Sequence, residues 1–272
     1  MQERVEASKT AAILLEERKG AVAILTLNRP QARNSLSLEL LRALGAAIER
    51  ISADAEVRAV VLAANGPAFS AGHDLKELTA HRADTDGGLA FYRTAMDTCS
   101  GVMQAILRSP KPFIAAVQGT ATAAGCQLVA TCDLAVAADE VQFATPGVNI
   151  GLFCSTPMVA LSRNVPRKRA MEMLLLGEML SAEAAAEYGL VNRVVPRGRV
   201  MDEALAMAGV IASKSSLTVA IGKEAFYRQI ELPTAEAYAY AADVMVKNMM
   251  ARDAAEGICA FIEKRPPEWK GC

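Results

Sequence analysis

The chain has 272 residues, of which 52% are hydrophobic and 22% are charged. This balance excludes an intrinsically disordered protein, which needs low hydrophobicity and a high net charge. The net charge of −1 provides no basic excess for nucleic acid or for an anionic membrane, so we expect neither as a partner. Six scattered cysteines without a C-x-x-C pair are typical of reduced thiols, and they predict a cytoplasmic protein. With only two histidines we expect no metal site, and the polar start MQERVEASKT predicts no signal or transit peptide.

Apolar runs alternate with amphipathic stretches over the first two thirds of the chain, and this order predicts an α/β core. The predicted strands are 12–16, 21–28, 56–65, 113–119 and two short strands within 133–146. The predicted helices are one capped by Ser37, one over 89–109 and a buried one within 120–132. Residues 68–78 are predicted as a loop and 79–88 as a mobile surface segment. From Pro157 the chain is predicted to be mostly helical, with a polar break over 191–199. This pattern leaves open whether the sheet is doubly wound, a barrel or a spiral.

Two segments rich in small residues follow predicted strands, and they are candidates for a ligand site. They are 68–74, with the sequence AFSAGHD, and 118–127, with the sequence QGTATAAGCQ. Small side chains let a ligand approach backbone N–H groups, and such groups are unpaired and partly positive at a helix N-terminus. Two of them converging on one oxygen form an oxyanion hole. Spacing alone favours a simpler alternative, in which both segments are packing turns.

Several motifs in order along the chain resemble the enoyl-CoA hydratase/isomerase (crotonase) superfamily. The matching stretches include VAILTLNRPQARNSLS, VRAVVLAANGPAFSAGHDLKEL and PKPFIAAVQGTATAAGCQLVATCDLAVAADEVQFATPGVNIGL. The segments GLFCSTP and VPRKRAMEML are more similar to the subgroup of enoyl-CoA hydratase domain-containing protein 3. The resemblance implies a spiral of repeated β-β-α units over 1–200 and a helical oligomerisation region over 201–272. It also implies a homotrimer, or a hexamer built as a dimer of trimers.

The same resemblance implies an acyl-CoA site with coenzyme A bound as part of the substrate and no tightly bound cofactor. The backbone N–H groups of Ala71 and Ala124 would hold the thioester oxygen. Candidate phosphate partners are Arg29 and Lys76, and a neighbouring subunit would supply Phe261 and Lys264. The residues expected along the coenzyme A path are Ala68, Ala71, His73, Asp74, Leu75 and Lys76.

The chain departs from the family where hydratases carry two catalytic glutamates. Gln127 and Gly147 stand at those positions; the Gln127 amide does not titrate near neutral pH, and Gly147 has no side chain. Three explanations remain open. Hydration is absent or weak; another group such as the Cys154 thiol acts as the acid or base; or an exogenous anion or water fills the space beside Gly147, as in the similar naphthoyl-CoA synthases.

The resemblance therefore predicts an enoyl-CoA hydratase-like protein that binds acyl-CoA and hydrates it weakly or not at all. One alternative is another reaction of a coenzyme A thioester, namely isomerisation, hydrolysis or decarboxylation. A second alternative, from a different class, is a regulatory protein that binds acyl-CoA without catalysis.

Overall fold

The computed structural model describes residues 12–272, so the segment used to predict the absence of a targeting peptide lies outside the described residues. The strands are β1 (Leu14–Lys19), β2 (Val22–Leu27), β3 (Ala59–Ala64), β4 (Ala68–Ser70), β5 (Phe113–Val117), β6 (Thr120–Thr122), β7 (Leu134–Ala138), β8 (Gln142–Ala144), β9 (Leu180–Ser181) and β10 (Arg193–Val195). The α-helices are α1 (Leu38–Ala53), α2 (Leu75–Ala80), α3 (Leu89–Arg108), α4 (Ala124–Thr131), α5 (Ser155–Asn164), α6 (Arg167–Leu176), α7 (Ala182–Glu187), α8 (Val200–Ala212), α9 (Ser216–Gln229), α10 (Thr234–Met249) and α11 (Arg252–Glu263).

The strands form two separate sheets, and successive segments of the chain contribute strands to both. The larger sheet has the order β1-β2-β3-β5-β7-β10, and the smaller has the order β4-β6-β8-β9. Strands β3, β5 and β7 pair in parallel in the larger sheet, and each is followed by β4, β6 or β8, which pair in parallel in the smaller one. Each β-β unit thus adds one strand to both sheets before a helical segment follows. This topology confirms the spiral of repeated units that the resemblance implied.

The core strands and the first long helix follow from local sequence. Every residue of β3 and of β5 is buried, as expected for parallel strands covered on both faces. Helix α1 begins after Ser37, whose hydroxyl accepts a hydrogen bond from the Leu40 N–H at 3.3 Å. The Glu77 carboxylate accepts a second bond from the Leu38 N–H at 3.0 Å. The predicted N-cap is confirmed, and α2 is tied to the start of α1.

Two predicted irregular segments contain regular structure. The loop predicted over 68–78 contains β4 and the first four residues of α2, and the polar break over 191–199 contains β10, which pairs in parallel with β7. Strands of three residues are too short for a hydrophobic period to show in the sequence. They form because a neighbouring strand supplies their hydrogen-bond partners.

The C-terminal helices divide into one core helix and three peripheral ones. Helix α8 buries Val200, Ala204 and Ala208 and packs on β3, β5 and β7, so the predicted boundary at 200/201 falls in the first turn of a core helix. Helices α9 to α11 pack on one another and bury few side chains. Their exposed large apolar residues are Phe226, Ile230, Tyr238, Met245, Val246, Met249, Met250, Ile258, Phe261 and Ile262. An oligomerising role for this region stays a prediction.

Within residues 12–272 no single helix has both the length and the apolarity to cross a membrane. The segments Arg197–Ala212 and Ser216–Gln229 satisfy that test only as a pair, and they are bent by 106° relative to each other. The same residues include no cluster of three or more His, Cys, Asp or Glu side chains suited to a metal ion.

Candidate active site

The two turns rich in small residues come together at one edge of the smaller sheet. Strands β4 and β6 pair in parallel, so the chain leaves both strands at the same edge. Gly72 (φ +87°) lies against the start of α4, where a Cβ on it would be 2.8 Å from the Ala123 Cβ and 3.2 Å from the Ala124 nitrogen. A Cβ on Gly125 would be 2.2 Å from the Ser70 carbonyl oxygen. Both glycines are therefore required for this close approach.

The first turn offers a different N–H group from the one predicted. The Ala71 N–H donates to the Arg33 carbonyl oxygen at 3.0 Å, so the prediction that it holds a thioester oxygen is wrong. Leu36 and His73 form a parallel bridge in which Leu36 N–H donates to Gly72 O at 2.8 Å and Asp74 N–H donates to Leu36 O at 3.3 Å. In such a bridge the N–H of His73 itself points away from Leu36. It has no acceptor within residues 12–272.

In the second turn, residues 118–127, the predicted Ala124 N–H group is available as a donor. Ala123 adopts a strained conformation (φ 50°, ψ −120°), and its N–H donates to the Ala144 carbonyl oxygen at 2.9 Å. Ala124 is the first residue of α4, and in the described part of the chain its N–H donates to no carbonyl. The site therefore presents the N–H groups of His73 and Ala124 on adjoining turns.

The side chain of Gln127 lies on the same face of α4 as Ala124, three residues earlier. Its exposed fraction is 4%, and its Oε1 has no hydrogen-bond partner among the described residues. Thr145, directly after β8, is fully buried, and its hydroxyl also lacks a partner there. Sequence reasoning missed Thr145, because its burial depends on β8 joining the smaller sheet.

The prediction of a space beside Gly147 is wrong. A Cβ on Gly147 would be 2.7 Å from the Leu152 carbonyl oxygen and 2.9 Å from the Cys154 Sγ, so the 152–154 segment occupies that position. Burial raises the pKa of the Cys154 thiol, against an opposing interaction with the Gly147 backbone. A thiol with a raised pKa stays protonated at neutral pH and is a poor base.

Comparison with known proteins gives one consistent result. The sequence profile of the family described as enoyl-CoA hydratase/isomerase matches residues 17–272. The chain belongs to this family.

Relatives and solved structures agree with this membership. Enoyl-CoA hydratase domain-containing protein 3, mitochondrial, of Rattus norvegicus is 48% identical over 90% of this chain and 80% of the relative. The Homo sapiens protein of the same name is 47% identical over 90% of this chain and 79% of its own length. A crystal structure of enoyl-CoA hydratase from Mycobacterium smegmatis is 54% identical, with a TM-score of 0.90 over 95% of this chain and 99% of that one. Human enoyl-CoA hydratase domain-containing protein 3 has the same TM-score at 45% identity, over 95% and 100% of the two chains.

These relatives correct the predicted location. The rat and human proteins are named mitochondrial, which contradicts the prediction of a cytoplasmic protein. All six cysteines are free thiols. Free thiols are typical of any reducing compartment and do not distinguish one such compartment from another. The inference from cysteine usage to the cytoplasm was therefore not justified.

Several residues expected along the coenzyme A path in this family member have internal partners. The Arg29 guanidinium donates to the Asp74 carboxylate at 3.0 Å and to the Ser35 carbonyl at 2.5 Å. Asp74 also accepts from the Ser35 hydroxyl at 3.0 Å and caps α2 through the Lys76 and Glu77 N–H groups. Burial opposes ionisation of Asp74, but the bonds from Arg29 and Ser35 prevail and lower its pKa. A role for Arg29 toward a phosphate stays a prediction.

The remaining predicted contacts lie in different environments. Ala68 is buried, and its carbonyl oxygen accepts from the Asn34 side chain at 2.8 Å, whereas Leu75 and Lys76 are exposed at the start of α2. Phe261 is 85% exposed near the end of α11, and Lys264 caps that helix in a left-handed conformation. Their contact with a bound coenzyme A is untested.

Proposed function

We propose that this chain binds acyl-CoA thioesters and polarises the thioester carbonyl with the backbone N–H groups of His73 and Ala124. The observation that carries the proposal is the pair of N–H groups on adjoining turns, neither bonded to an acceptor in the described chain. Charge that develops on a thioester oxygen when C2 acquires enolate character would be stabilised there, by about 3 kcal/mol per donor. Membership of the enoyl-CoA hydratase/isomerase family supports this ligand class.

We further propose that hydration by this chain is weak or absent. Hydration needs a group that activates water and a group that delivers a proton to C2. The Gln127 amide does neither, Gly147 has no side chain, and burial keeps the Cys154 thiol protonated. The oxyanion donors remain useful without these groups, since they stabilise an enolate in other reactions of acyl-CoA thioesters. Isomerisation, hydrolysis or decarboxylation of a thioester is therefore the second candidate.

Two measurements on the purified protein test the proposal separately. Thermal unfolding with and without butyryl-CoA tests binding, and a ligand at about 100 times its Kd adds about 2.7 kcal/mol to the free energy of unfolding. The loss of enoyl-thioester absorbance from crotonyl-CoA tests hydration, with a hydratase that carries both glutamates as the control. Stabilisation with little or no hydration is expected. Absence of stabilisation by any acyl-CoA contradicts the proposed ligand, and turnover equal to the control contradicts the weak-hydratase assignment.

We also propose that α9 to α11 associate with copies of the same chain as a trimer or as a hexamer of two trimers. The exposed apolar side chains of these helices support this, because monomers seldom expose so many on one region. Light scattering during size exclusion distinguishes a trimer from a hexamer. Phe261→Asp is expected to weaken the assembly, and a wild-type protein that stays monomeric contradicts the proposal.

A further inference from the structure

Residues 265–271, which we call the C-terminal clasp, run back along α11 to the turn between α8 and α9. They follow Lys264, which ends α11 in a left-handed conformation (φ 57°). The Trp269 indole N–H donates to the Ser213 carbonyl oxygen at 2.9 Å, just after α8. On the other side of the ring, a Cβ on Gly257 of α11 would be 3.0 Å from the Trp269 Cη2. The indole ring of the clasp therefore contacts both α11 and the α8–α9 turn.

A buried carboxylate joins the clasp to two helices. Asp253, at the start of α11, is 1% exposed and accepts from the Lys270 N–H at 2.8 Å and the Gly271 N–H at 2.9 Å. It also accepts from the Ser215 hydroxyl at 2.6 Å, and Ser215 is the N-cap of α9. Burial opposes ionisation of Asp253, but the bonds from Ser215 and the two N–H groups lower its pKa. The clasp, α11 and α9 thus meet at one ionised group.

A second carboxylate holds the beginning of the clasp. Glu256 accepts two hydrogen bonds from the Arg265 guanidinium, at 2.6 and 3.0 Å, and a third from the Glu268 N–H at 2.8 Å. The bonds from Arg265 and then from Glu268 lower the pKa of Glu256 to about 2. Both carboxylates of α11 therefore hold the clasp in their ionised form at neutral pH.

Helix α11 has little apolar attachment of its own. Asp253 and Ala260 are its only buried residues in the described chain. Its large apolar side chains, Ile258, Phe261 and Ile262, are exposed, and their spacing places them on a different side of the helix from Asp253 and Ala260. An isolated helix of this length is marginally stable in water. The polar clasp is therefore the main attachment of α11 to the core.

We propose that the C-terminal clasp fixes α11 in the orientation in which its exposed apolar side pairs with a second copy of the chain. The inference rests on the proposed association of α9 to α11 and adds the element that controls it. A helix that is already fixed loses little conformational entropy on association, whereas a helix that moves freely must first be ordered. Opening of the clasp weakens the assembly without removing any side chain from the paired surface. Trp269 and Asp253 are thus positioning residues.

Hydrogen exchange followed by mass spectrometry measures the attachment of α11. Labelling in the Phe261→Asp background removes protection by a second copy. We expect Trp269→Ala to accelerate exchange of the α11 amides about tenfold, the ratio for one lost hydrogen bond, and to leave β3 and β5 unchanged. Gly257→Gln should act in the same way, because its side chain meets the indole ring from the opposite side. Unchanged α11 exchange in both variants overturns the proposal. Equal acceleration in β3 and β5 also overturns it, because global unfolding would then release α11.

Light scattering over a dilution series of the full chain measures association. We expect Trp269→Ala and Gly257→Gln, without the Phe261 change, each to raise the dissociation constant of the assembly about tenfold. Gln has a higher helix propensity than Gly, so an effect of α11 helicity alone would instead strengthen association in Gly257→Gln. Gly209→Gln is the matched control, since it adds the same side chain to a glycine of α8 where an added Cβ meets open space in the described structure. It should associate like the wild type.

The two measurements separate this inference from the association on which it rests. Faster exchange of α11 with unchanged association overturns the link between the clasp and the second copy. A wild-type chain that stays monomeric overturns the proposed association and, with it, that link. The exchange rates then still decide whether the clasp holds α11.

Discussion

The Cys154 thiol lies where a side chain at Gly147 would extend. A Cβ on Gly147 would be 2.9 Å from the Cys154 Sγ and 2.7 Å from the Leu152 carbonyl oxygen, both closer than ordinary contacts. We therefore expect Gly147→Ala to lower the free energy of unfolding by about 1–3 kcal/mol, the usual penalty of overpacking. Urea denaturation measures this loss. Combination with Cys154→Ala should recover part of it, since the sulfur contact disappears while the backbone contact remains. If Gly147→Ala is as stable as the wild type, the 152–154 segment must move to accommodate the added methyl group without a loss of stability.

Restoring one carboxylate should restore part of the hydration chemistry. Gln127→Glu places a carboxyl group on the face of α4 that carries the Ala124 N–H, and burial there would raise its pKa toward the range of a general acid–base catalyst. We expect faster hydration of crotonyl-CoA, by about 10²-fold at most, because the second carboxylate remains absent. Gln127→Met is the control, since it changes the side chain without adding a carboxyl group. Unchanged hydration with intact acyl-CoA binding would place residue 127 away from the reacting carbons.

The Asp74 carboxylate should stabilise the fold in a pH-dependent manner. Its pKa is lowered in the folded chain, so its contribution is present above the unfolded value near 4 and is lost as the pH falls through the folded pKa. We expect Asp74→Asn to reduce the free energy of unfolding by about 1.5–3 kcal/mol at pH 7 and by less at pH 3. Urea denaturation at both pH values measures the difference. The exposed Asp97→Asn is the control, and a reduction for Asp74→Asn that is equal at both pH values would contradict the assignment.

Substitutions of Arg29 and Lys76 should affect different properties, namely the stability of the fold and the binding of acyl-CoA. The Arg29 side chain is 19% exposed and is bonded to Asp74, whereas Lys76 is exposed and its ammonium group donates to no described residue. We expect Arg29→Ala mainly to destabilise the fold, because Asp74 loses its partner. We expect Lys76→Ala mainly to raise the Kd for acyl-CoA, by about fivefold, which corresponds to an exposed contact with a phosphate near 1 kcal/mol. Unfolding and titration of each variant test this. Unchanged binding by Lys76→Ala would remove it from the coenzyme A path.

A buried ion pair should be the main anchor of α9 on the core. The Lys223 ammonium donates to the Asp133 carboxylate at 2.7 Å and to the carbonyl oxygens of Ile106 and Lys111, and Asp133 accepts further bonds from Tyr227 and the Phe113 N–H. Burial lowers the pKa of Lys223, against the attraction of Asp133.

Lys223→Met should therefore lower the free energy of unfolding by about 3–5 kcal/mol, because it leaves the Asp133 charge buried and unpaired. The double variant with Asp133→Asn should be less destabilised than the sum of the two single variants. A strictly additive double-mutant cycle would contradict this coupling.

The sequence by itself determined the family, the alternation of strands and helices, the Ser37 cap and the absence of both glutamates. These features follow from residue identity and from short-range hydrophobic periods, which do not depend on distant parts of the chain. It did not determine β4 or β10, whose three residues form strands only through hydrogen bonds to a neighbour far along the chain. Nor did it indicate that Cys154 fills the position beside Gly147.

The tertiary structure also decided which N–H groups remain free. Ala71 and His73 are two residues apart, and nothing local distinguishes their N–H groups. The Ala71 N–H is occupied because it donates to the Arg33 carbonyl oxygen. The parallel bridge between Leu36 and His73 leaves the His73 N–H pointing away from Leu36. Thr145 joined the candidate site for the same kind of reason, since β8 buries it in the smaller sheet. Hydrogen-bond availability depends on partners distant along the chain, so only the folded arrangement could assign these groups.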